Sequence, residues 1–221
     1  MKSINVKNIE IKKVFIDKQE ILKFLGYRNR KVPSVIQNKI NEEYEEVLNY
    51  IRPSAYFKKI QITSILNGKI ELENNTTLSG KHIFDSLRNC SHVYICIYSI
   101  GDEIRKKISE YSCENEMLRA MILDKMAVVA LDFMNESIKK HILENEKPLY
   151  ISSEIYPGDK DFEVSNQKVM YDLLKLSDGA IRINKNFQLY PLKSVSVIFG
   201  IGKNKCTSSR CENCKNKCYE K

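Results

Sequence analysis

Residues 116–143, EMLRAMILDKMAVVALDFMNESIKKHIL, form the longest segment of the chain that keeps one periodicity. Apolar residues recur at helical spacing with no proline or glycine among them, which predicts a single long α-helix. Small residues at Ala120, Ala127 and Ala130 would let other elements approach closely. The apolar residues cover more than one side, and such a helix usually lies at the centre of a fold. We therefore expect the other elements to pack around it.

Shorter elements are predicted on both sides of this helix. Helical spacing and cap residues predict five further helices, at residues 17–26, 33–51, 78–88, 104–111 and 166–176. Alternating or β-branched runs predict strands at residues 4–16, 56–66, 69–72, 92–100 and 193–201. Asn67-Gly68 predicts a hairpin turn, and residues 152–161 predict a polar loop. Strands and helices without regular βα alternation favour an α+β domain with a mainly antiparallel sheet.

Composition places the chain among globular proteins, with 43% apolar and 29% charged residues in a length of 221. No run approaches the roughly 20 apolar residues that a membrane span needs, and the polar N-terminus predicts no signal peptide. We therefore expect a cytoplasmic location with reduced cysteines. The net charge is +8, but the lysines alternate with glutamates and form no basic stripe. This pattern disfavours a nucleic-acid partner.

Four of the seven cysteines lie close together at the C-terminus: Cys206, Cys211, Cys214 and Cys218. Residues 203–221 contain no apolar run, so the segment cannot fold by burying a face of its own. Four thiolates could instead hold an iron–sulfur cluster or zinc, and the metal would supply the folding free energy. The compact spacing favours a cluster over zinc, while disulfides and redox-active thiols remain alternatives. We predict a tail of this kind after a domain at residues 1–202.

The remaining histidines and cysteines are expected to be structural, because none has a partner at ligand spacing. These residues are His82, His92, His141, Cys90, Cys96 and Cys113. Cys96 lies within the best predicted strand and should behave as a small buried hydrophobe, and the same is expected of Cys90 and Cys113. Asp124 interrupts the apolar pattern of the long helix. It should cap or pair with another group, or take part in function.

Five short motifs occur in an order and spacing typical of one family. They are Phe24-Leu-Gly-Tyr27, Tyr98-Ser-Ile-Gly101, Ile122-Leu-Asp124, Pro157-Gly158 followed by Gln167, and Pro191-Leu-Lys-Ser-Val-Ser196. With them the chain resembles the activation, or reactivation, domain of vitamin B12-dependent methionine synthase. The free-standing bacterial forms with a cysteine-rich C-terminus are the most similar, and the resemblance covers nearly the whole chain.

The resemblance implies a curved antiparallel sheet and S-adenosylmethionine bound in a shallow groove. It also implies that a partner presents cobalamin, which is remethylated with an electron from an external reductant. Pro157 and Gly158 match the family's binding loop. Glu154 stands where the family has the arginine that meets the methionine end of the donor, and Lys185 stands where it has a glutamate. These two residues could be a pair with exchanged charges.

The favoured function is therefore a corrinoid-reactivation or accessory protein that docks on a B12-dependent methyltransferase. A cluster in the cysteine tail could pass an electron to cobalt, whereas zinc would make the tail a rigid cap. Two alternatives remain at this point. The chain could be a non-catalytic module that recognises a corrinoid protein, or a zinc-knuckle protein that binds nucleic acid.

Overall fold

The structure is a computed structural model that describes residues 7–8, 13–176 and 179–205. Its helices are α1 Lys18–Phe24, α2 Ser34–Val47, α3 Lys81–Leu87, α4 Glu103–Cys113, α5 Met117–Glu146 and α6 Asn166–Leu174. Its strands are β1 Lys7–Asn8, β2 Ser54–Leu66, β3 Lys69–Leu72, β4 Thr77–Ser79, β5 Cys90–Ser99, β6 Tyr150–Ile155, β7 Arg182–Ile183, β8 Leu189–Tyr190 and β9 Ser194–Gly202. The predicted α+β class is confirmed.

A seven-stranded antiparallel sheet forms the middle of the molecule, with the order β4-β3-β2-β5-β9-β6 and β1 paired to β2. The central strand β5 is buried on both faces and is rich in Val, Ile and Tyr, as a strand covered by two helix layers should be. The predicted hairpin turn joins β2 to β3. Asn67 and Gly68 both have positive φ there, which matches a two-residue hairpin.

The two faces of the sheet carry separate apolar cores. Residues of α1, α2, α4 and α5 pack with one face, and residues of α3, α6 and the β7–β8 hairpin pack with the other. The long predicted helix is confirmed as α5, which has 30 residues and spans about 45 Å. It contacts α1, α2, α4 and the strands β6 and β9, which explains why more than one of its sides is apolar.

The polar loop predicted at residues 152–161 is partly wrong, because β6 covers its first residues. Ile151, Ser153 and Ile155 are buried, but Ile151 packs in the core on the α5 side and Ile155 in the core on the α6 side, because the pairing with β9 is irregular between Ile151 and Ser153. Its inward positions include serine, which hid the pattern. β6 is the last strand of the sheet order, and it ends at Ile155, two residues before Pro157. The end of the sheet where β6 and β5 finish and β9 begins is called the site end below.

Candidate functional site

The turn at Pro157 and Gly158 lies immediately after β6, at the site end of the sheet. Gly158 has a φ of +97°, a value that only glycine adopts readily, and its N–H donates to the Phe162 carbonyl at 2.6 Å. The Asp159 N–H donates to the Tyr156 carbonyl at 3.0 Å. These bonds close the loop on itself, so the shape of the turn does not depend on a ligand.

Two aspartates fix this loop in place. Asp159 accepts a hydrogen bond from the Tyr156 N–H at 3.0 Å. Asp161 accepts from the N–H groups of Lys81 and His82 at 2.6 and 3.0 Å, at the start of α3. The bonds from these backbone groups hold the pKa of Asp161 below its usual value. The loop is thus anchored to a helix on the opposite side of the sheet from α5.

Glu154 faces α5 and is the centre of a polar cluster. Its Oε1 accepts from Asn135 Nδ2 at 2.7 Å and from the Tyr156 hydroxyl, and its Oε2 lies 3.4 Å from Lys139 Nζ. Lys139 is also 2.6 Å from Glu136. Burial opposes protonation of Lys139, but the hydrogen bond with Glu136 and the charge of Glu154 outweigh it and raise the Lys139 pKa. Lys139 therefore remains an ammonium group.

Lys185 is exposed in the turn of the β7–β8 hairpin, which also lies at the site end. Gln167 of α6 donates to the Phe187 carbonyl at 3.0 Å and holds this hairpin on the α6 side of the sheet. Glu154 points to the α5 side. The cation beside Glu154 is therefore Lys139, and the suggested exchange of charge between Glu154 and Lys185 is wrong.

Asp124 pairs with a cation, as one of the sequence interpretations required. Its Oδ1 lies 2.6 Å from Lys193 Nζ, and its Oδ2 lies 3.2 Å from Lys125 Nζ. Burial alone would raise the pKa of Asp124, but the hydrogen bond with Lys193 and its charge lower it. The contact joins α5 to the segment that leads into β9. Two of the family-like motifs therefore meet at the site end.

A second buried cluster was not visible in the sequence. Glu146, at the end of α5, accepts from Lys59 at 2.6 Å and from the Tyr94 hydroxyl, and lies 3.1 Å from His92 Nε2. Burial and the charge of Lys59 lower the His92 pKa more than Glu146 raises it. No sequence signal could have found this cluster, because its members come from three separate elements. His92 is thus buried beside a carboxylate of the same fold, and its structural role stays a prediction.

The cysteines within the described residues offer no reactive thiol cluster. Cys90 and Cys96 are buried as expected, and burial raises the pKa of Cys90 to about 11. Cys113 is exposed, so the expectation that it would be buried is wrong. Across residues 13–176 and 179–205, no three His, Cys, Asp or Glu side chains are placed to hold a metal ion. The predicted ligands Cys206, Cys211, Cys214 and Cys218 lie outside the described residues.

Comparison with known proteins shows a similarity in fold to solved structures. No family model matches the sequence, and no curated protein matches it either. The fold is similar to that of the MetH reactivation domain, solved bound to AdoHcy. The TM-score is 0.68 with 11% identity, over 93% of this chain and 81% of that chain. The fold implied by the sequence motifs is thereby confirmed. In the described part of the chain, no helix is long and apolar enough to cross a bilayer.

Proposed function

We propose that this protein is a reactivation or accessory protein of a corrinoid methyltransferase and that it binds an S-adenosyl compound beside Pro157 and Gly158. The similarity to a reactivation domain over nearly the whole chain carries this proposal. The preformed turn after β6 supports it, because a rigid positive-φ loop presents its backbone at no ordering cost. The hairpin with Lys185 lies at the same end of the sheet and would border the ligand.

The reaction implied by this proposal moves the methyl group of S-adenosylmethionine to cobalt, after one electron from a reductant, and leaves S-adenosylhomocysteine. The partner supplies the cobalamin. The residues of this chain would hold and orient the methyl donor, and none of them has to act as an acid or base. This division fits a site whose carboxylates, Glu154 and Asp159, are already engaged by neighbouring groups.

Calorimetric titration with S-adenosylhomocysteine tests the proposal directly. The variant Gly158→Ala should weaken binding at least about tenfold, because a β-carbon disfavours the φ of +97° that shapes the turn. Gly68→Ala is the matched control, since Gly68 also has positive φ and open space but lies in the distant β2–β3 hairpin. Absence of binding to the wild-type protein would refute the proposal. If both variants and the wild type bind S-adenosylhomocysteine with equal affinity, Gly158 does not contribute to the binding site.

The same proposal assigns a separate unit at residues 203–221, in which Cys206, Cys211, Cys214 and Cys218 bind an iron–sulfur cluster or zinc. The number of thiolates and their spacing support it. Anaerobic purification followed by iron, zinc and sulfide analysis tests it. Cys211→Ser should lower the metal content, whereas Cys113→Ser, which changes an exposed cysteine of α4, should not. Unchanged metal in Cys211→Ser would contradict a four-thiolate site.

A second candidate function is a module that docks on a corrinoid protein without binding the methyl donor. One observation favours it, an apolar strip at the site end. Met117 and Met121 are exposed on the side of α5 that carries Asp124, since these residues are spaced for one helix face. Lys193 reaches Asp124 from the segment before β9, and its neighbour in sequence, Leu192, is also exposed. Exposed apolar side chains in a group commonly mark a protein contact.

Sedimentation of the protein with a corrinoid-binding protein tests this surface. Met121→Glu and Leu192→Glu should each abolish the complex without unfolding the protein, because both side chains are exposed. Leu66→Glu is the control, as Leu66 is exposed at the far end of β2. A complex that tolerates all three substitutions would exclude docking through this strip. If the protein forms this complex but binds no S-adenosyl compound, the non-catalytic docking module is favoured over the reactivation protein.

A further inference from the structure

The tip of the β7–β8 hairpin holds a phenylalanine in a backbone conformation that is unfavourable for a bulky side chain. Phe187 has a φ of +63°, in the left-handed region. Its N–H donates to the Asn184 carbonyl at 3.1 Å, and the Asn184 N–H donates to the Gln188 carbonyl at 3.0 Å. Phe187 is thus the last residue of the hairpin loop, where glycine or asparagine is usual. The other non-glycine residues with positive φ in the described part of the chain are asparagines and lysines.

The fold itself does not require this ring. Phe187 is 38% exposed, and neither apolar core includes it. Glycine at the same position would adopt the positive φ without a steric cost. Residues held in strained backbone conformations are concentrated at ligand-binding and active sites. An exposed aromatic ring that is retained in such a conformation therefore indicates a contact with a ligand.

Helix α6 connects this ring to the turn at Gly158. Gln167 donates from Nε2 to the Phe187 carbonyl at 3.0 Å and accepts at Oε1 from the buried Ser196 hydroxyl at 3.2 Å. The Gln167 N–H donates to the Val164 carbonyl at 2.9 Å. Val164 Cγ2 in turn lies 3.4 Å from the point that a β-carbon on Gly158 would occupy. A continuous series of contacts therefore fixes the hairpin tip relative to the turn.

We infer that Phe187 binds the adenine ring of the S-adenosyl ligand by stacking. Every nucleobase has a π-face, and aromatic side chains bind such faces without needing hydrogen bonds to the base. The exposed side chain of Val164 adds apolar surface next to Gly158. The inference rests on the proposed function, because it names the residue that holds the purine of the same ligand. S-adenosylmethionine and S-adenosylhomocysteine share this purine and would contact Phe187 alike.

A fluorescence titration tests the stacking contact in the full chain. The sequence contains no tryptophan, so Phe187→Trp introduces a single indole at the hairpin tip. Adenine stacked on this indole should quench its emission, with saturation at the concentrations of S-adenosylhomocysteine at which calorimetry shows binding. Phe15→Trp is the matched control, because Phe15 is also exposed but contacts Phe133 of α5. Its emission should not respond to the ligand.

Substitutions at position 187 separate binding from folding. Phe187→Gly should weaken the binding of S-adenosylhomocysteine at least about fivefold, because the stacking contact is lost. Its Tm should stay close to that of the wild type, since the ring lies outside both cores and glycine suits the positive φ. Phe187→Tyr should keep the wild-type affinity. Phe187→Leu should lose affinity as Phe187→Gly does, because leucine offers apolar surface without a π-face.

The outcomes distinguish the inference from the proposed function. Wild-type affinity in Phe187→Gly, or in Phe187→Leu, would overturn the stacking contact and leave the proposed function standing. Equal quenching in Phe187→Trp and Phe15→Trp would also overturn it, because the quenching would then not depend on the hairpin. If the wild-type protein binds no S-adenosylhomocysteine, the proposed site fails and the inference fails with it. If Phe187→Gly does not fold, the leucine and tryptophan variants decide the question.

Discussion

Replacing Arg119 with methionine should destabilise the protein, because Arg119 is the cation of a buried ion pair. Arg119 Nε lies 2.5 Å from Glu43 Oε1, and Arg119 Nη2 donates to the Tyr111 hydroxyl at 2.7 Å. The contact joins α2, α4 and α5. Glu43 is only 1% exposed, so its carboxylate cannot turn to water when the arginine is lost.

The expected loss can be worked from this geometry. Removing one partner of a buried pair costs about 3–5 kcal/mol. Arg119 keeps 28% of its side-chain surface exposed, and Tyr111 can still donate to Glu43, so the lower figure of about 3 kcal/mol applies. At about 2–4 °C for each kcal/mol in a chain of this size, the Tm should fall by about 6–12 °C.

Scanning calorimetry and urea unfolding measure this effect. The double variant Glu43→Gln/Arg119→Met should recover to within about 1 kcal/mol of the wild type, because no charge is left buried. Lys106→Met is the control, since both side chains of its 2.8 Å pair with Glu103 are exposed, and its loss should leave the free energy of unfolding almost unchanged. A loss below about 1 kcal/mol for Arg119→Met, or an equal loss in the double variant, would refute the reasoning.

Three further predictions follow from other contacts. Because the pKa of His92 is lowered in the folded state, the unfolded state binds a proton below about pH 6.5 and the folded state does not. The free energy of unfolding should therefore fall as the pH is lowered below about 6.5. An equal pH dependence in His92→Gln would contradict this. Gly200→Ala places a β-carbon 2.6 Å from a Leu87 methyl group and against Ser153 Oγ, so it should lower the free energy of unfolding in urea by about 1–3 kcal/mol. Adding Ser153→Gly should restore part of this loss. An unchanged free energy of unfolding in Gly200→Ala would show that the neighbouring side chains move aside. Asp161→Ala should speed hydrogen exchange of the Lys81 amide, because this amide donates a hydrogen bond to Asp161 in the wild type. Equal exchange rates in the variant and the wild type would show that other contacts hold the loop.

Local signals predicted the elements that have a strong pattern of their own. The long helix α5 keeps helical spacing over its whole length, and β5 is a continuous β-branched and aromatic run. The Asn67-Gly68 turn needs only its own two residues. In each case the deciding information lies within a few residues of the element itself. The α+β class followed from the order of these elements.

Contacts between distant elements could not be predicted in the same way. The strand β6 was missed because its inward positions include serine, and the hydrogen bonds that make it a strand come from β9, about 45 residues later in the chain. The cation of Glu154 was misassigned for a related reason. The motif comparison suggested Lys185 as the partner of Glu154. Lys139 lies beside the Glu154 carboxylate because α5 packs on the sheet, and the sequence does not show this packing.

If an S-adenosyl compound binds beside Pro157 as proposed, the carboxylate at position 154 shows how such a site could change its ligand while the fold persists. Neither apolar core includes Glu154, and the carboxylate is satisfied by Asn135, Tyr156 and Lys139. Asn135 and Lys139 are one helical turn apart on α5, so a single face of this helix supplies two donors to the strand. A carboxylate at this position therefore costs the fold little, although it reverses the charge that a ligand meets. The specificity of such a site would be set by side chains on α5, not by the turn at Pro157.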